Sequence, residues 1–180
     1  MTSAKTSKLV SYLAQRELSL CVTINRHCHH HIAYPPLFDK ISRLGDGVAW
    51  YGLMIAIVLF DPTHGWQASL HMSLVAALCL VIYKWLKPRT MRYRPYLKNT
   101  NIQLSTAPLD YYSFPSGHTL HAVAFTSTAL HYYPELAWVL IPFTCLIALS
   151  RIVLGLHYPS DVIVGALIGA SLANISFMVL

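Results

Sequence analysis

The stretch that decides the fold lies at residues 66–86 and reads WQASLHMSLVAALCLVIYKWL. It contains one charged side chain, Lys84, close to its end. A helix needs about 20 apolar residues to cross a hydrocarbon core of about 30 Å, and this stretch meets that length. The sequence therefore predicts a membrane-spanning helix at this point in the chain.

The composition of the whole chain agrees with a membrane protein. Of 180 residues, 55% are hydrophobic and 11% are charged, which is too little polar surface for a soluble domain. We expect an all-α, multi-pass transmembrane helical bundle with about five spans. The other four spans are predicted at residues 47–60, 118–133, 136–154 and 162–180, and the first of these is short.

The N-terminal quarter of the chain has a different character. Charged side chains interrupt residues 1–45 too often for a membrane span. We expect an interfacial N-terminal segment there, and a helical core at residues 46–180, within a single membrane-embedded domain. After Pro35 and Pro36, apolar residues recur at helical spacing, which suits a short amphipathic helix at the interface and equally suits packing against the bundle. The segment does not resemble a cleavable signal peptide.

The cysteines and several histidines offer few signs of a separate metal or redox site. The four cysteines lack CxxC spacing, so we expect neither a disulfide framework nor a cysteine-based metal site. The histidines of residues 27–31 surround Cys28 and could bind a transition metal, although a polar stretch at the headgroups is the favoured interpretation. Within the predicted spans, His71 and His121 are expected to make interhelical hydrogen bonds.

Ionisable residues gather at one end of the predicted bundle. Consecutive spans alternate in direction, so the ends of the second and fourth spans share a membrane face with the starts of the third and fifth. That face receives Lys87, Arg89, Arg92, Arg94, Ser116, His118, Arg151, His157 and Asp161. Such a gathering beside an apolar bundle is costly unless the groups pair or bind a charged ligand, so we expect a functional site there.

Three cations on this face have the chemistry of a phosphate site. Lys87 offers a point charge, whereas the guanidinium groups of Arg94 and Arg151 can each bind phosphate oxygens with two hydrogen bonds. The alternative is that basic residues anchor helix ends among the headgroups, which explains some of the remaining ones, including Arg89 and Arg92.

Residues 115–118, PSGH, have the features of a helix start. Ser116 occupies an N-cap position, and the free amides of a helix N-terminus bind anions. Capping alone would explain the tetrapeptide equally well. His118 favours function, because it places a proton donor beside the expected phosphate.

The spacing of His157 and Asp161 lets them meet on one helical turn or across a short turn. The carboxylate can then accept the imidazole N–H, fix the tautomer and leave the other ring nitrogen free to attack phosphorus. A His and Asp pair at this spacing is more often a plain structural hydrogen bond. The nucleophile hypothesis therefore depends on the whole group of residues.

Together these segments resemble the three-part signature of the type 2 phosphatidic acid phosphatase superfamily. The first part is Lys87, six residues, Arg94 and Pro95, and the second is PSGH at residues 115–118. The third runs over residues 150–161, SRIVLGLHYPSD. That superfamily also includes lipid phosphate phosphatases, glucose-6-phosphatases and vanadium haloperoxidases.

The resemblance implies a membrane lipid phosphatase with a phosphohistidine intermediate. His157 would attack phosphorus, Asp161 would orient it, and His118 would protonate the departing lipid oxygen before water hydrolyses the phosphohistidine. The phosphate-binding set implied by the resemblance is Lys87, Arg94, Ser116, Gly117 and Arg151. We expect no metal, no other cofactor and no nucleic-acid partner, and the oligomeric state is left open.

Two rival functions and four lipid substrates stay open at this stage. A vanadate-dependent haloperoxidase would use the same anion site but is expected as a larger, soluble protein. A transport protein would require polar groups near the bilayer midplane rather than at one boundary. A lipid-binding relative without catalysis is disfavoured by the intact set of His118, His157 and Asp161. Phosphatidate, phosphatidylglycerol phosphate, an isoprenyl diphosphate and a lipid A phosphate all fit a membrane-boundary site.

Charge asymmetry predicts the orientation of the bundle. In the five-span arrangement, every Lys and Arg lies on the active-site face, whereas the opposite loops contain Asp61 and Glu135. Basic residues collect on the cytoplasmic side of membrane proteins. We therefore expect an integral protein of a bacterial inner membrane with its active-site face in the cytoplasm.

Overall fold

The structure, a computed structural model, describes residues 2–30, 34–108 and 110–179, with side chains from residue 11 onward. Its helices are Thr2–His29 (α1), Tyr34–Arg43 (α2), Ala49–Phe60 (α3), Gly65–Thr90 (α4), Pro95–Lys98 (α5), Gly117–Tyr132 (α6), Ala137–Val153 (α7) and Pro159–Val179 (α8). A π-helical turn, Leu44–Val48, joins α2 to α3, and a 3-10 turn precedes α7. No strand occurs in these ranges, so the all-α prediction is confirmed.

Four helical stretches among the described residues are long and apolar enough to cross a membrane. They are Tyr34–Phe60, Gly65–Thr90, Pro134–Val153 and Pro159–Val179. The multi-pass transmembrane prediction is confirmed. The third predicted span, residues 118–133, corresponds to α6, which has only 16 residues and packs against α4, α7 and α8. The count of five spans is therefore approximate.

The first span begins earlier than the sequence predicts. The α2 helix, the π-helical turn and α3 form one helical stretch of 27 residues, so the span starts at Tyr34 rather than Gly47. A kink lies at Gly47, whose φ of 138° strongly favours glycine. The α2 helix packs against α7, with Ser42 buried and Leu37 exposed. The predicted boundary between residues 45 and 46 falls inside this stretch, and the division into segment and core stays a prediction.

Glycines allow α8 to approach α6, the most extensive helix contact in the described chain. A Cβ atom at Gly165 would lie 2.6 Å from the Ser116 carbonyl oxygen, and one at Gly169 would overlap the Leu120 carbonyl. The Ser116 amide donates a hydrogen bond to the Asp161 carbonyl at 3.0 Å. This packing brings the start of α6 beside the start of α8, where two of the predicted motifs meet.

Candidate active site

The predicted site residues all lie at one end of the bundle, where α4 and α7 end and α6 and α8 begin. Lys87 and Arg151 are in the last turns of α4 and α7, and Asp161 is in the first turn of α8. The eight positions are Lys87, Arg94, Ser116, Gly117, His118, Arg151, His157 and Asp161. Helices of opposite direction thus bring together side chains that are up to 74 positions apart in sequence, from Lys87 to Asp161.

His157 is buried at the centre of this site, in the loop between α7 and α8. Its Nε2 lies 3.3 Å from Nη1 of Arg94. Burial, reinforced by the positive charges of Arg94, Arg151 and Lys87, lowers the pKa of His157 well below its ordinary value. The imidazole is therefore neutral near pH 7, which is the form that a nucleophile requires.

Asp161 faces the opposite side of the imidazole. Its Oδ2 lies 3.7 Å from Nδ1 of His157, which is too long for a hydrogen bond, and accepts the Tyr158 amide at 2.9 Å. Among the described groups, none is hydrogen-bonded to His157 Nδ1. The two groups are neighbours, but the expected hydrogen bond between them is not formed in this structure. Catalytic contacts of this kind often tighten only when substrate binds.

Asp110, which the sequence interpretation missed, binds two of the cations. Its Oδ2 accepts hydrogen bonds from Lys87 Nζ and the Tyr83 hydroxyl, both at 2.6 Å, and its Oδ1 accepts one from Arg94 at 2.8 Å. Burial acts to raise the pKa of Asp110, but these hydrogen bonds outweigh it and lower the pKa to about 2. The carboxylate compensates the buried charges of Lys87 and Arg94.

Arg151 supplies the third buried cation. Its Nη1 donates a hydrogen bond to the hydroxyl of Ser42 in α2. Its Nε has no hydrogen-bond partner among the described residues. A buried guanidinium N–H without an acceptor is rare, and this donor is available to a phosphate oxygen.

The start of α6 adds backbone donors to the same site. The first helical hydrogen bond of α6 runs from the Leu120 amide to the Ser116 carbonyl at 3.0 Å, so the amides of residues 117–119 lie before it. Ser116 occupies the N-cap position, but its hydroxyl bonds the Thr119 hydroxyl at 3.0 Å and makes no capping hydrogen bond to a backbone amide. Gly117 lies against the Tyr83 ring, which leaves no room for a side chain.

His118 contacts an acidic residue that the sequence interpretation also missed. Its Nε2 forms an ion pair with Oδ1 of Asp46, in the π-helical turn between α2 and α3. Burial lowers the pKa of His118, and the Asp46 carboxylate opposes this shift because it favours the protonated imidazole. Asp46 interrupts an apolar span between Gly45 and Gly47, and a charge inside a span is a functional candidate by default. That signal was present in the sequence.

A cavity of about 520 Å³ opens beside His118, between α3, α4 and α6. Asp46 and His118 line it together with apolar side chains, including Trp50, Leu80 and Phe125. An apolar cavity next to a proton donor can hold the hydrocarbon part of a leaving group. Because Tyr51 and Leu80 also line it and are exposed, the cavity is open at the outer surface of the bundle.

Arg92, His71 and His121 are bonded to other groups of the bundle. Arg92 forms ion pairs inside the site. His71 makes the expected interhelical hydrogen bonds, to Tyr132 and Ser176, whereas His121 bonds the carbonyl of its own helix at Gly117. The described residues contain no group of His, Cys, Asp or Glu that could hold a metal, and His31 of the histidine cluster lies outside them.

A family model described as the PAP2 superfamily matches residues 68–180, more than half of the chain. This match includes all three motif segments. The chain belongs to the PAP2 superfamily. The family predicted from the motifs is therefore confirmed.

Two undecaprenyl-diphosphatases are similar to this PAP2 chain. The one from Sulfolobus acidocaldarius is 30% identical over 141 residues, which cover 77% of this chain and 67% of the relative. The second, BcrC from Bacillus subtilis, is 32% identical over 149 residues, which cover 83% and 76% of the two chains. These relatives confirm the interpretation of the chain as a membrane lipid phosphatase.

Solved structures agree with the PAP2 fold. Aquifex aeolicus LpxE is 28% identical and superposes with a TM-score of 0.71, over 89% of this chain and 94% of its own. A bacterial vanadium-dependent iodoperoxidase gives a TM-score of 0.77 over 92% of this chain and 49% of its own, but at 16% identity. This second likeness concerns the fold alone, so the haloperoxidase alternative has only distant structural support.

Proposed function

We propose that this PAP2 chain removes the terminal phosphate of an isoprenyl diphosphate through a phosphohistidine on His157. The main support is the position of the His157 Nε2, which is buried 3.3 Å from Arg94 among three cations. The apolar cavity beside His118 favours a substrate with a hydrocarbon chain. The two undecaprenyl-diphosphatases, aligned over 77% and 83% of this chain, favour a diphosphate.

The proposed reaction has two displacements. The Nε2 lone pair of His157 attacks the terminal phosphorus as the bond to the bridging oxygen breaks, and His118 gives a proton to that oxygen. The lipid leaves as a monophosphate. Water then attacks the phosphohistidine while His118 accepts a proton from it, so that inorganic phosphate leaves and His157 regains its neutral form.

Electrostatic stabilisation would come from the protein's own cations. Lys87, Arg94 and Arg151, with Ser116 and the amide of Gly117, would hold the equatorial oxygens of the phosphoryl group in the transition state. These cations would supply the neutralising charge that magnesium supplies in kinases, so we propose catalysis without a metal.

A substrate panel in EDTA tests this function. Phosphate release is measured in detergent from an isoprenyl diphosphate, phosphatidate, phosphatidylglycerol phosphate and a lipid A 1-phosphate. We expect full activity in EDTA and the highest kcat/KM on the isoprenyl diphosphate. A higher kcat/KM on any of the three monoesters would contradict the proposal that the substrate is an isoprenyl diphosphate. Loss of activity in EDTA that zinc or magnesium restores would contradict the metal-free scheme.

We also propose that the active site faces the cytoplasm at an inner membrane. The loops at the opposite end, residues 61–64 and 133–136, contain no Lys or Arg. Because α8 begins at the active-site face, its last residues would lie in the periplasm. A β-lactamase fused after residue 180 should then confer ampicillin resistance on a bacterial host, and a green fluorescent protein there should stay dark. A fluorescent fusion without resistance would contradict this orientation.

A further inference from the structure

Two charged side chains that are not signature residues of the three motifs, Arg92 and Glu17, are joined to the proposed catalytic carboxylate. The Nη1 of Arg92, in the segment between α4 and α5, donates hydrogen bonds to Asp161 Oδ1 at 2.6 Å and to the Ser160 hydroxyl at 2.7 Å. Its Nη2 donates to Glu17 Oε2 in α1, also at 2.6 Å. Glu17 Oε1 accepts the Ser160 amide at 2.6 Å, which closes a ring of contacts between three chain segments.

The surroundings fix the guanidinium of Arg92 in this position. It lies 3.9 Å above the centre of the Tyr158 ring, and its side chain is 26% exposed. The Arg92 carbonyl accepts the Ser113 amide at 2.7 Å, so the backbone is held as well. A planar guanidinium that is stacked and hydrogen-bonded on both nitrogens orients a carboxylate more rigidly than a flexible ammonium group.

These contacts determine which oxygen of Asp161 faces the histidine. Arg92 holds Oδ1, and the Tyr158 amide holds Oδ2 at 2.9 Å. The carboxylate therefore cannot rotate without losing a bond, and Oδ2 stays 3.7 Å from His157 Nδ1. Because the Asp161 side chain is fully buried, it also depends on Arg92 as its compensating charge.

We infer that Arg92 and Glu17 are positioning residues for phosphoryl transfer, with Arg92 orienting Asp161 and Glu17 orienting Arg92. This inference rests on the proposed function, since Asp161 matters to catalysis only if His157 is the nucleophile. It makes α1, which lies outside the motifs, a part of the active-site framework.

Single variants measure the effect. We expect Arg92→Ala to lower kcat about 10- to 100-fold with KM nearly unchanged, the loss typical when a group that orients a catalytic ligand is removed. Arg92→Lys should recover part of the rate, because lysine restores the charge without the planar fork. Glu17→Gln should lower kcat by a smaller factor. Arg89→Ala and Arg16→Ala are matched controls. Both arginines are exposed, and within the described part of the chain each bonds a residue of its own helix.

A double-mutant cycle separates positioning from plain structural support. If Arg92 acts through Asp161, then Arg92→Ala should not lower kcat any further in an Asp161→Ala background. A structural role would instead lower kcat by the same factor in both backgrounds, which would overturn the inference. Rates are expressed per molecule that elutes as folded, monodisperse protein, so that poor folding does not imitate a catalytic effect.

His157→Ala in the same assay distinguishes failure of the proposed nucleophile from failure of the positioning roles. If it keeps wild-type turnover, the nucleophile and the positioning roles are both overturned. If it is inactive while Arg92→Ala and Glu17→Gln turn over at the wild-type rate, only the positioning roles are overturned. Inactive His157→Ala, slow Arg92→Ala and a non-additive cycle together are the expected result.

Discussion

Replacing His157 with alanine is expected to lower kcat/KM for the isoprenyl diphosphate by about 10⁴-fold or more. The substitution removes the only group in the proposed scheme that bonds to phosphorus, and loss of a nucleophile in other covalent enzymes costs factors of this size. The cations would still bind the diphosphate, so KM should change little. Initial rates of phosphate release from purified wild type and variant measure the effect.

The matched control for this variant is His64→Ala. His64 is exposed and precedes α4 at the opposite end of the bundle, so its loss should leave kcat/KM at the wild-type value. Binding of inorganic phosphate by His157→Ala, followed as protection against heat denaturation, shows that the anion site still forms. A residual rate within tenfold of wild type would exclude His157 as the nucleophile.

Replacing His118 with alanine is expected to lower kcat/KM most for the substrates whose leaving oxygen is most basic. General acids contribute about 10²- to 10⁴-fold, most where the leaving group is poor. The loss in kcat/KM should therefore be largest for phosphatidate, which releases an alcohol. It should be small for an isoprenyl diphosphate and for p-nitrophenyl phosphate, because a phosphomonoester oxygen and p-nitrophenolate are both weakly basic and leave with little help.

The leaving-group series also distinguishes proton donation from phosphate binding by His118. kcat/KM is the correct quantity, because it reports the steps up to the first irreversible one and excludes the later attack of water. An equal loss on all three substrates would mean that His118 only binds the phosphoryl group. Asp46→Asn should show the same pattern with a smaller loss, because Asp46 is proposed to favour the protonated imidazole.

The motif residues could be placed from sequence because two simple rules act together. Long apolar stretches such as residues 66–86 must cross the membrane, and consecutive crossings alternate in direction. Lys87, His118 and Asp161, which follow or precede such stretches, then have to share a face. The structure has this arrangement, and α8 begins at Pro159, a residue that favours the first turn of a helix.

Partners across long sequence separations could not be placed in this way. Arg92 and Asp161 are 69 positions apart, and hydropathy alone does not distinguish an arginine that anchors a helix end from one that turns inward. Glu17 lies in a charged helix whose contacts with α8 depend on the packing of the whole bundle. Asp110 follows a loop without periodicity, so its contact with Lys87 required the folded chain.

The helical stretch that contains the first span begins earlier than the sequence predicts, and the difference has a physical reason. Lys40 and Arg43 interrupt the hydropathy of residues 34–46, yet α2 is helical and packs against α7. Charged side chains with long aliphatic stems can lie at a membrane boundary while the backbone continues as helix. Asp46, by contrast, was visible as an isolated acid in an apolar segment.

Rapid-quench labelling with a terminally ³²P-labelled isoprenyl diphosphate tests the central claim most directly. The protein is denatured in alkali within milliseconds of mixing, because phosphohistidine survives alkali and is lost in acid, and the labelled peptide is mapped. We predict acid-labile label on His157 that forms and decays at the rate of turnover and does not form in His157→Ala. Label on another residue, or a burst of released phosphate with no protein-bound label at any time point, would contradict the phosphohistidine mechanism.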